Sequence, residues 1–340
     1  MASVIDHELM REAIAAAARV RFITSPNPWV GAVVAAPDGE CFEGATRPPG
    51  GPHAEVVALA EAGPLARGST VYVTLEPCAH HGRTGPCTDA LLAAGVDRVV
   101  IGVLDPDPAV AGRGAQQLRD AGVRVEVGVE AAAIEDQLRS YLHHRRTGRP
   151  FVVCKLAATL DGRTAAPDGS STWITGPEAR REVHRLRAES DAIIVGAGTV
   201  RSDDPSLTVR DWAPADGVEV EDLDPRRVVL GRVAADAAVR PCLELAGDPA
   251  LILDELGQRG VLQLMLEGGA RTAGEWHRAG LIDRYELFLA PALMGGDDGL
   301  GLFVGDGVGT MADLWRGRIE SVSRVGDDLH VTLVPHVDPS

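Results

Sequence analysis

Basic residues are scarce in this 340-residue chain, where 33 lysines and arginines stand against 49 aspartates and glutamates and give a formal net charge of −16. Proteins that bind nucleic acid through its phosphates need a basic face. The shortage of basic residues therefore argues against a nucleic-acid partner, and we expect the ligands to be small molecules.

Long apolar runs are also missing. No stretch approaches the roughly 18 apolar residues that indicate a transmembrane helix. The start of the chain, from Met1 to Glu8, has neither the basic segment nor the apolar segment of a secretory signal peptide. The sequence therefore predicts no membrane partner and a cytoplasmic location.

Cysteine is rare, with five residues in total. An odd, small number in a chain of this length argues against a disulfide framework and for a reducing compartment. We predict that Cys41, Cys154 and Cys242 are buried small hydrophobic residues. Cys78 and Cys87 then remain available as thiolate ligands.

One stretch concentrates residues that bind metals and move protons. It begins at His53-Ala54-Glu55 and ends at Cys87, and each of Cys78 and Cys87 follows a proline. Zn²⁺ binds neutral imidazole and thiolate, so His53, Cys78 and Cys87 can hold it with a fourth position open for water. Glu55, which is not a ligand in this scheme, can carry protons. H-x-E followed by P-C-x-x-C is typical of zinc nucleobase deaminases, although eight residues separate the cysteines here.

Other interpretations of this stretch remain open on the residues alone. The two cysteines could be buried thiols. His80 or His81 could complete a closed, four-ligand site, which would make the chain a zinc-stabilised binding protein without catalysis. A catalytic site is the interpretation that also explains Glu55 and both prolines.

Strands and helices alternate along the chain, which predicts an α/β fold with helices covering a sheet. The length favours two domains, and the turn at Arg149-Pro150 marks a boundary. Asp6 is predicted to cap a first helix that ends near Val20. Further predicted elements include helices over 53–62, 87–94 and 131–145, and strands over 70–75, 98–103 and 227–230. The acidic segment over 211–247 is predicted to be mostly irregular outside the last of these strands.

Two glycine-rich turns in the second half each join a predicted strand to a predicted helix. They are Gly196-Ala197-Gly198 and Gly268-Gly269. Such turns let backbone N–H groups and a helix N-terminus approach a phosphate. Arg201 occupies the position of the third glycine in G-x-G-x-x-G, so the first turn is not a dinucleotide-binding fingerprint. Taken alone, each could be a simple tight turn.

The first half resembles the deaminase half of the bifunctional riboflavin-biosynthesis deaminase/reductase family, which has a three-layer, cytidine-deaminase-like fold. Eight residues between the cysteine ligands are usual in that family. The resemblance implies a zinc site, Glu55 as the catalytic residue, and substrate contacts by Asn27, His80 and Arg83. It rests on Asn27-Pro28, Gly51-Pro52-His53-Ala54-Glu55, Val73-Thr74-Leu75-Glu76-Pro77-Cys78, His80-His81-Gly82-Arg83-Thr84 and the segment 105–114.

The second half resembles the reductase half of the same family, with a dihydrofolate-reductase-like fold. The resemblance rests on the segments 155–164, 171–175, 195–200, 203–210 and 267–269. It implies NADPH contacts by Ala157, Trp173, Thr199, Asp203 and Gly269. It also implies contacts to a phosphorylated substrate by Lys155, Ser171, Arg187, Leu207, Arg210 and Glu267.

The resemblance thus predicts a deaminase domain over 1–146, a linker over 147–150 and a reductase domain over 151–340. The expected substrate is 2,5-diamino-6-(5-phosphoribosylamino)pyrimidin-4(3H)-one, which loses ammonia before NADPH reduces its ribosyl group to ribityl. We also expect a homo-oligomer. An alternative is a deaminase whose second domain is not catalytic. Two positions depart from the family pattern: Thr46 replaces a common histidine, and Asp107 replaces a frequent asparagine.

Overall fold

The computed structural model describes residues 3–80, 85–108, 110–214 and 223–336. Two units form, and the chain passes from the first to the second between Gly148 and Arg149. The domain limits derived from the sequence remain a prediction.

The first unit contains a five-stranded sheet in the order β2-β1-β3-β4-β5. β1 runs antiparallel to β2 and β3, whereas β3, β4 and β5 are mutually parallel. The strands are β1 (Gly31–Ala35), β2 (Cys41–Ala45), β3 (Thr70–Leu75), β4 (Arg98–Val103) and β5 (Arg124–Val127). The helices are α1 (Val4–Arg19), α2 (Ala54–Ala62), α3 (Cys87–Ala94), α4 (Arg113–Asp120), α5 (Ala131–Gln137) and α6 (Arg139–Thr147).

Two glycines allow helices to pack tightly against both faces of this sheet. A Cβ atom on Gly31 would lie 1.9 Å from the carbonyl oxygen of Ala13 in α1. A Cβ atom on Gly44 would lie 2.2 Å from the carbonyl oxygen of Ala54 in α2. Gly44 is the register partner of Ala32, the neighbour of Gly31, so the two glycines face opposite sides. The result is a three-layer arrangement that fixes the start of α2.

The predicted cap of the first helix is wrong. Ser3 is the N-cap of α1, and Asp6 is the third helical residue of a reciprocal capping box. Asp6 is buried because its carboxylate accepts hydrogen bonds from Arg98 at 2.7 and 3.0 Å and from Tyr72 at 2.9 Å. The acidic side chain therefore joins the helix to two strands. The prediction of one continuous helix over 131–145 is also wrong, because the segment is divided at Leu138 into α5 and α6.

The second unit is built on an eight-stranded sheet in the order β10-β9-β8-β11-β6-β12-β15-β14. β15 pairs antiparallel with β12 and β14, and the remaining neighbours are parallel. A two-stranded sheet pairs β7 with β13. The strands are β6 (Phe151–Thr159), β7 (Arg163–Ala165), β8 (Ala192–Gly196), β9 (Arg226–Leu230), β10 (Leu243–Leu245), β11 (Gln263–Leu266), β12 (Arg284–Ala290), β13 (Leu300–Gly301), β14 (Gly317–Val325) and β15 (Asp328–Pro335).

Four helices supply apolar side chains to two separate cores of this unit. One core includes residues of α7 and α8, and the other includes residues of α9 and α10. The helices are α7 (Pro177–Ala188), α8 (Ala197–Asp203), α9 (Pro249–Gln258) and α10 (Ala270–Arg278). Sheet and helices together confirm the predicted α/β class.

Some sequence expectations for this unit and for the cysteines were incomplete. Within the segment 211–247, the strand predicted over 227–230 is confirmed as β9 (Arg226–Leu230). β10 was missed, because its three residues are too few to show a strand pattern. Cys154 is buried as predicted, but Cys41 is exposed and Cys242 is half-buried, so the prediction for those two is wrong. Cys41 begins β2, an edge strand whose side chains are mostly accessible. Within the described ranges, no helix combines the length and apolarity needed to cross a bilayer.

The Asp6–Arg98 pair gives a prediction about stability. We expect Asp6→Asn to destabilise the first unit by about 3 kcal/mol, because it leaves the Arg98 guanidinium poorly compensated. The hydrogen bond from Arg98 holds the pKa of Asp6 well below its usual range. The folded state therefore gains stability from this carboxylate above about pH 4 and loses it as the pH falls.

Urea unfolding of the full chain, followed at several pH values, measures this effect. Asp97→Asn is the matched control, because Asp97 also pairs with an arginine, Arg124, but both side chains are exposed. An exposed pair contributes about 0–1 kcal/mol. Equal destabilisation by the two substitutions would contradict the role given to Asp6.

Candidate active sites

The three predicted zinc ligands lie together in the first unit. His53 is the N-cap of α2, Cys87 is the first residue of α3, and Cys78 follows β3. Their donor atoms all lie within 4.8 Å of one another. The backbone N–H of Cys87 donates to the sulfur of Cys78 at 3.4 Å, which ties the two cysteine segments together.

The spacing of these atoms fits one zinc ion. Nδ1 of His53 lies 3.3 Å from Sγ of Cys87 and 3.7 Å from Sγ of Cys78. Tetrahedral Zn–N and Zn–S bonds of about 2.0 and 2.3 Å would separate nitrogen and sulfur by about 3.5 Å. His80 is not part of this donor cluster, and His81 lies outside the described residues. The described donors thus leave a fourth tetrahedral position for another ligand.

The electrostatics of the cluster also suit a cation. The hydrogen bond from the Cys87 thiol outweighs burial and lowers the pKa of Cys78 to about 4. The same contact, together with burial, raises the pKa of Cys87. The hydrogen bond to the Cys78 sulfur raises the pKa of His53. These contacts favour a thiolate at Cys78, and a divalent ion would stabilise that charge.

Glu55 lies beside the donor cluster, in the first turn of α2. It is only 3% exposed, and burial raises the pKa of its carboxyl. A carboxyl group with a raised pKa can both accept and return a proton near neutral pH. Its position two residues after His53 places proton transfer next to the metal donors.

A cavity of about 270 Å³ opens onto these residues. Two predicted substrate contacts, Asn27 and His80, line it together with His53, Glu55 and Cys78. Arg83 lies outside the described residues. The lining also includes side chains that the sequence did not single out for substrate contact: Thr46, Asp105, Asp107, Tyr141 and Arg145.

Polar side chains in the cavity wall are held by hydrogen bonds within the protein. The Glu76 carboxylate accepts three backbone N–H groups, from Asp105, Gly112 and Ala115, at 2.9 to 3.2 Å. Thr46 is buried, and its hydroxyl contacts the backbone N and O of Val30. Thr46, which stands where the family commonly has a histidine, therefore uses its hydroxyl group for hydrogen bonds to the main chain.

In the second unit, three predicted substrate contacts form one ionic network. Arg187 donates to both carboxylate oxygens of Glu267 at 2.9 Å, and Nζ of Lys155 lies 3.6 Å from Oε1 of Glu267. Burial would raise the pKa of Glu267, but the two cations lower it to about 2. Arg187 is buried, although it belongs to an arginine-rich helix. Lys155 is the only lysine in the sequence.

Both glycine-rich turns follow adjacent parallel strands of this unit. β8 ends at Gly196 and β11 ends just before Glu267, so the two turns lie at the same edge of the sheet. A Cβ atom on Gly269 would lie 3.3 Å from Oγ1 of Thr199, which places these two predicted NADPH contacts side by side. Gly269 is exposed and is the N-cap of α10, whose first N–H groups can receive a phosphate.

The other predicted contacts of the second unit differ in their burial and in their partners. Arg187 also donates to the carbonyl oxygen of Thr208, which follows Leu207. Leu207 is buried with φ 56°, a conformation that is unusual for a bulky side chain and occurs at functional sites. Arg210 donates to Ser206 at 2.9 Å. Trp173 is 74% exposed beneath the guanidinium of Arg180, while Ala157 and Ser171 are half-buried and Asp203 is exposed.

Two protein-family models match the chain, one in each half. The model described as the cytidine and deoxycytidylate deaminase zinc-binding region matches residues 3–103. The model described as the RibD C-terminal domain matches residues 150–331. These matches confirm the predicted cytidine-deaminase-like first half and the reductase fold of the second half.

Similar proteins cover the whole chain. Riboflavin biosynthesis protein RibD of Mycobacterium tuberculosis is 44% identical, over 96% of this chain and 96% of its own. The structure of Acinetobacter baumannii RibD matches with a TM-score of 0.91 at 36% identity, covering 98% of this chain and 99% of that one. A Thermotoga maritima diaminohydroxyphosphoribosylaminopyrimidine deaminase/5-amino-6-(5-phosphoribosylamino)uracil reductase matches with a TM-score of 0.84 at 31% identity, covering 97% and 99%.

The family models, the relatives and the zinc donor cluster agree with one another. The predicted bifunctional enzyme and its cofactors, Zn²⁺ and NADPH, are confirmed. The chain therefore belongs to the RibD family of riboflavin-biosynthesis proteins, in which a zinc-binding deaminase domain precedes an NADPH-dependent reductase domain.

Proposed function

We propose that the first unit deaminates 2,5-diamino-6-(5-phosphoribosylamino)pyrimidin-4(3H)-one and that the second reduces the ribosyl group of the product to ribityl. The observation that carries the first step is the cluster of one imidazole and two thiols next to buried Glu55. This donor set opens onto a cavity lined by further polar side chains. A relative from Thermotoga maritima is named for the same two activities.

The protein side chains divide the deamination between them. His53, Cys78 and Cys87 would hold the zinc ion, which supplies Lewis-acid activation of a water molecule. Glu55 takes one proton from that water and gives it to a ring nitrogen of the pyrimidine. It then takes the second proton, from the new hydroxyl group on the ring carbon, and gives it to the departing amine, which leaves as ammonia. Asn27 and His80 line the cavity where they can orient the ring, and Arg83 is proposed as a further contact.

The second site is proposed to position the substrate and NADPH for hydride transfer. Thr199, Gly269, Ala157, Trp173 and Asp203 would hold the cofactor, which supplies the hydride. The cations Lys155, Arg187 and Arg210 suit a phosphorylated substrate, with Glu267, Ser171 and Leu207 completing its site. Glu267 keeps Lys155 and Arg187 at fixed positions. The rate of hydride transfer then depends on how these residues orient the substrate relative to NADPH.

We also propose that both ligands are small molecules and that the protein is a homo-oligomer. The net charge of −16 opposes binding to a polynucleotide. For the oligomer, the supporting observation is β14, which ends the eight-stranded sheet. Ile319 and Val322 on this edge strand are each 58% exposed. Exposed apolar edge strands tend to pair with another strand, and a second copy offers an identical edge.

Replacing Glu55 tests the deaminase. We expect Glu55→Gln to lower ammonia release by about 10²- to 10⁴-fold, because the amide cannot carry the proton. Zinc content and NADPH oxidation on the deaminated compound should not change. Glu61→Gln, an exposed position on the same helix, is the control and should leave both activities intact. Normal ammonia release by Glu55→Gln would contradict the proton-transfer role given to Glu55.

The reductase test uses Lys155. We expect both Lys155→Met and Lys155→Arg to lower NADPH oxidation at least about 10-fold, because neither supplies a compact ammonium group beside Glu267. Ammonia release should persist in both variants. Arg149→Lys, which alters an arginine paired with Asp254 in the same unit, should keep the reductase active. Full NADPH oxidation by Lys155→Arg would show that positive charge alone is sufficient.

The oligomer is tested by light scattering on Ile319→Lys. If β14 forms the contact, a charge at this position should lower the mass to that of one chain. Val4→Lys, at an exposed apolar position of the first unit, is the control. A single-chain mass for the unmodified protein would reject the proposed oligomer.

A further inference from the structure

We propose that Arg145 binds the phosphate group of the substrate in the first cavity and so determines specificity for a phosphorylated pyrimidine. The inference rests on the deamination proposed above. Arg145 lies in α6, far along the chain from the zinc donors, and the family motifs quoted above do not include it.

The charges lining the cavity make this side chain distinctive. Among the described lining residues, Arg145 is the only arginine or lysine. Four carboxylates share the lining with it: Glu55, Glu76, Asp105 and Asp107. A phosphate monoester carries more than one negative charge near neutral pH and needs a cationic partner in such surroundings. Arg145 can supply that charge with the planar donor fork that matches phosphate oxygens.

Two of the carboxylates are already engaged by hydrogen bonds within the protein. Glu76 accepts three backbone N–H groups, as described above. Asp105 accepts the backbone N–H of Asp107 at 2.9 Å and the hydroxyl of Tyr141 at 3.0 Å. These bonds hold the acidic groups in place and restrain the Tyr141 ring.

Arg145 rests on this fixed framework. Its guanidinium lies 5.0 Å from the centre of the Tyr141 ring, which is a cation–π arrangement. Its Nε atom lies 3.8 Å from Oδ2 of Asp107, beyond hydrogen-bond distance. Nε is buried and has no hydrogen-bond partner among the described residues. The side chain is thus oriented by an aromatic ring and a carboxylate, and its accessible part lines the cavity.

Partial burial strengthens the expected interaction. The Arg145 side chain is 29% exposed, as is that of Asp107. A phosphate bound there would be less screened by salt than at an open surface. Because the guanidinium is already oriented, binding would cost less conformational freedom than for a mobile surface arginine. The same cavity also presents His53 and Glu55, so one ligand can contact both groups of residues.

The test compares two substrates on the zinc-loaded full chain: the phosphorylated pyrimidine and the same compound without its phosphate. For Arg145→Gln, we expect the KM for the phosphorylated compound to rise about 10- to 100-fold, because the substitution removes a charge-assisted hydrogen bond to the phosphate. The KM for the dephosphorylated compound should not change. Arg145→Lys should give an intermediate KM. Inorganic phosphate should inhibit ammonia release by the unmodified protein, in competition with the phosphorylated compound. The same concentration of phosphate should inhibit Arg145→Gln much less.

Arg146→Gln, at the exposed next position of α6, is the control and should match the unmodified protein with both compounds. Zinc content reports whether the first unit of each variant is folded. The inference would be overturned if Arg145→Gln left the KM for each compound as it is in the unmodified protein. It would also be overturned if the substitution raised the KM for both compounds by the same factor. Failure of the unmodified protein to release ammonia from either compound would overturn the proposed function first, and this inference with it.

Discussion

The close approach of α2 to its sheet is the constraint on which the metal centre depends. Gly44 leaves no room for a side chain between β2 and α2, and α2 begins directly after His53. The same helix start carries Glu55. Any group that separated α2 from the sheet would move a metal donor and the proton carrier together, away from the two cysteines. The chemistry of the first unit is therefore positioned by backbone packing.

The second unit positions its polar groups in a different way. A half-buried carboxylate, Glu267, is flanked by Arg187 and Lys155, and these two cations hold the pKa of the carboxyl group low. Leu207 adds a backbone conformation that the surroundings must hold in place. Such a site tolerates few changes of charge, because removing one member leaves another buried and poorly compensated. The two halves thus combine a site fixed by packing with a site fixed by charge balance.

The sequence predicted the parts of this arrangement that depend on local spacing. His53, Cys78 and Cys87 stand at junctions between strands and helices, so their proximity follows from the order of elements. Sequence spacing could not predict that Asp105, Tyr141 and Arg145 lie close together. Asp105 follows β4, whereas Tyr141 and Arg145 belong to α6. Asp6 was misassigned as a cap for a similar reason. Its carboxylate accepts a hydrogen bond from the Ser3 backbone and also from Arg98 and Tyr72, which lie far away in the chain.

The composition of the chain makes Lys155 chemically unique. It is the only lysine among 33 basic residues, so arginine provides every other permanently positive side chain. Arginine carries five donors in a rigid fork, whereas lysine presents a compact ammonium group and the only side-chain primary amine. Apart from its amino terminus, the protein therefore has one amine, and it lies beside Glu267 and across from Arg187. Any reagent that reacts with side-chain amines will report on that one position in the second unit.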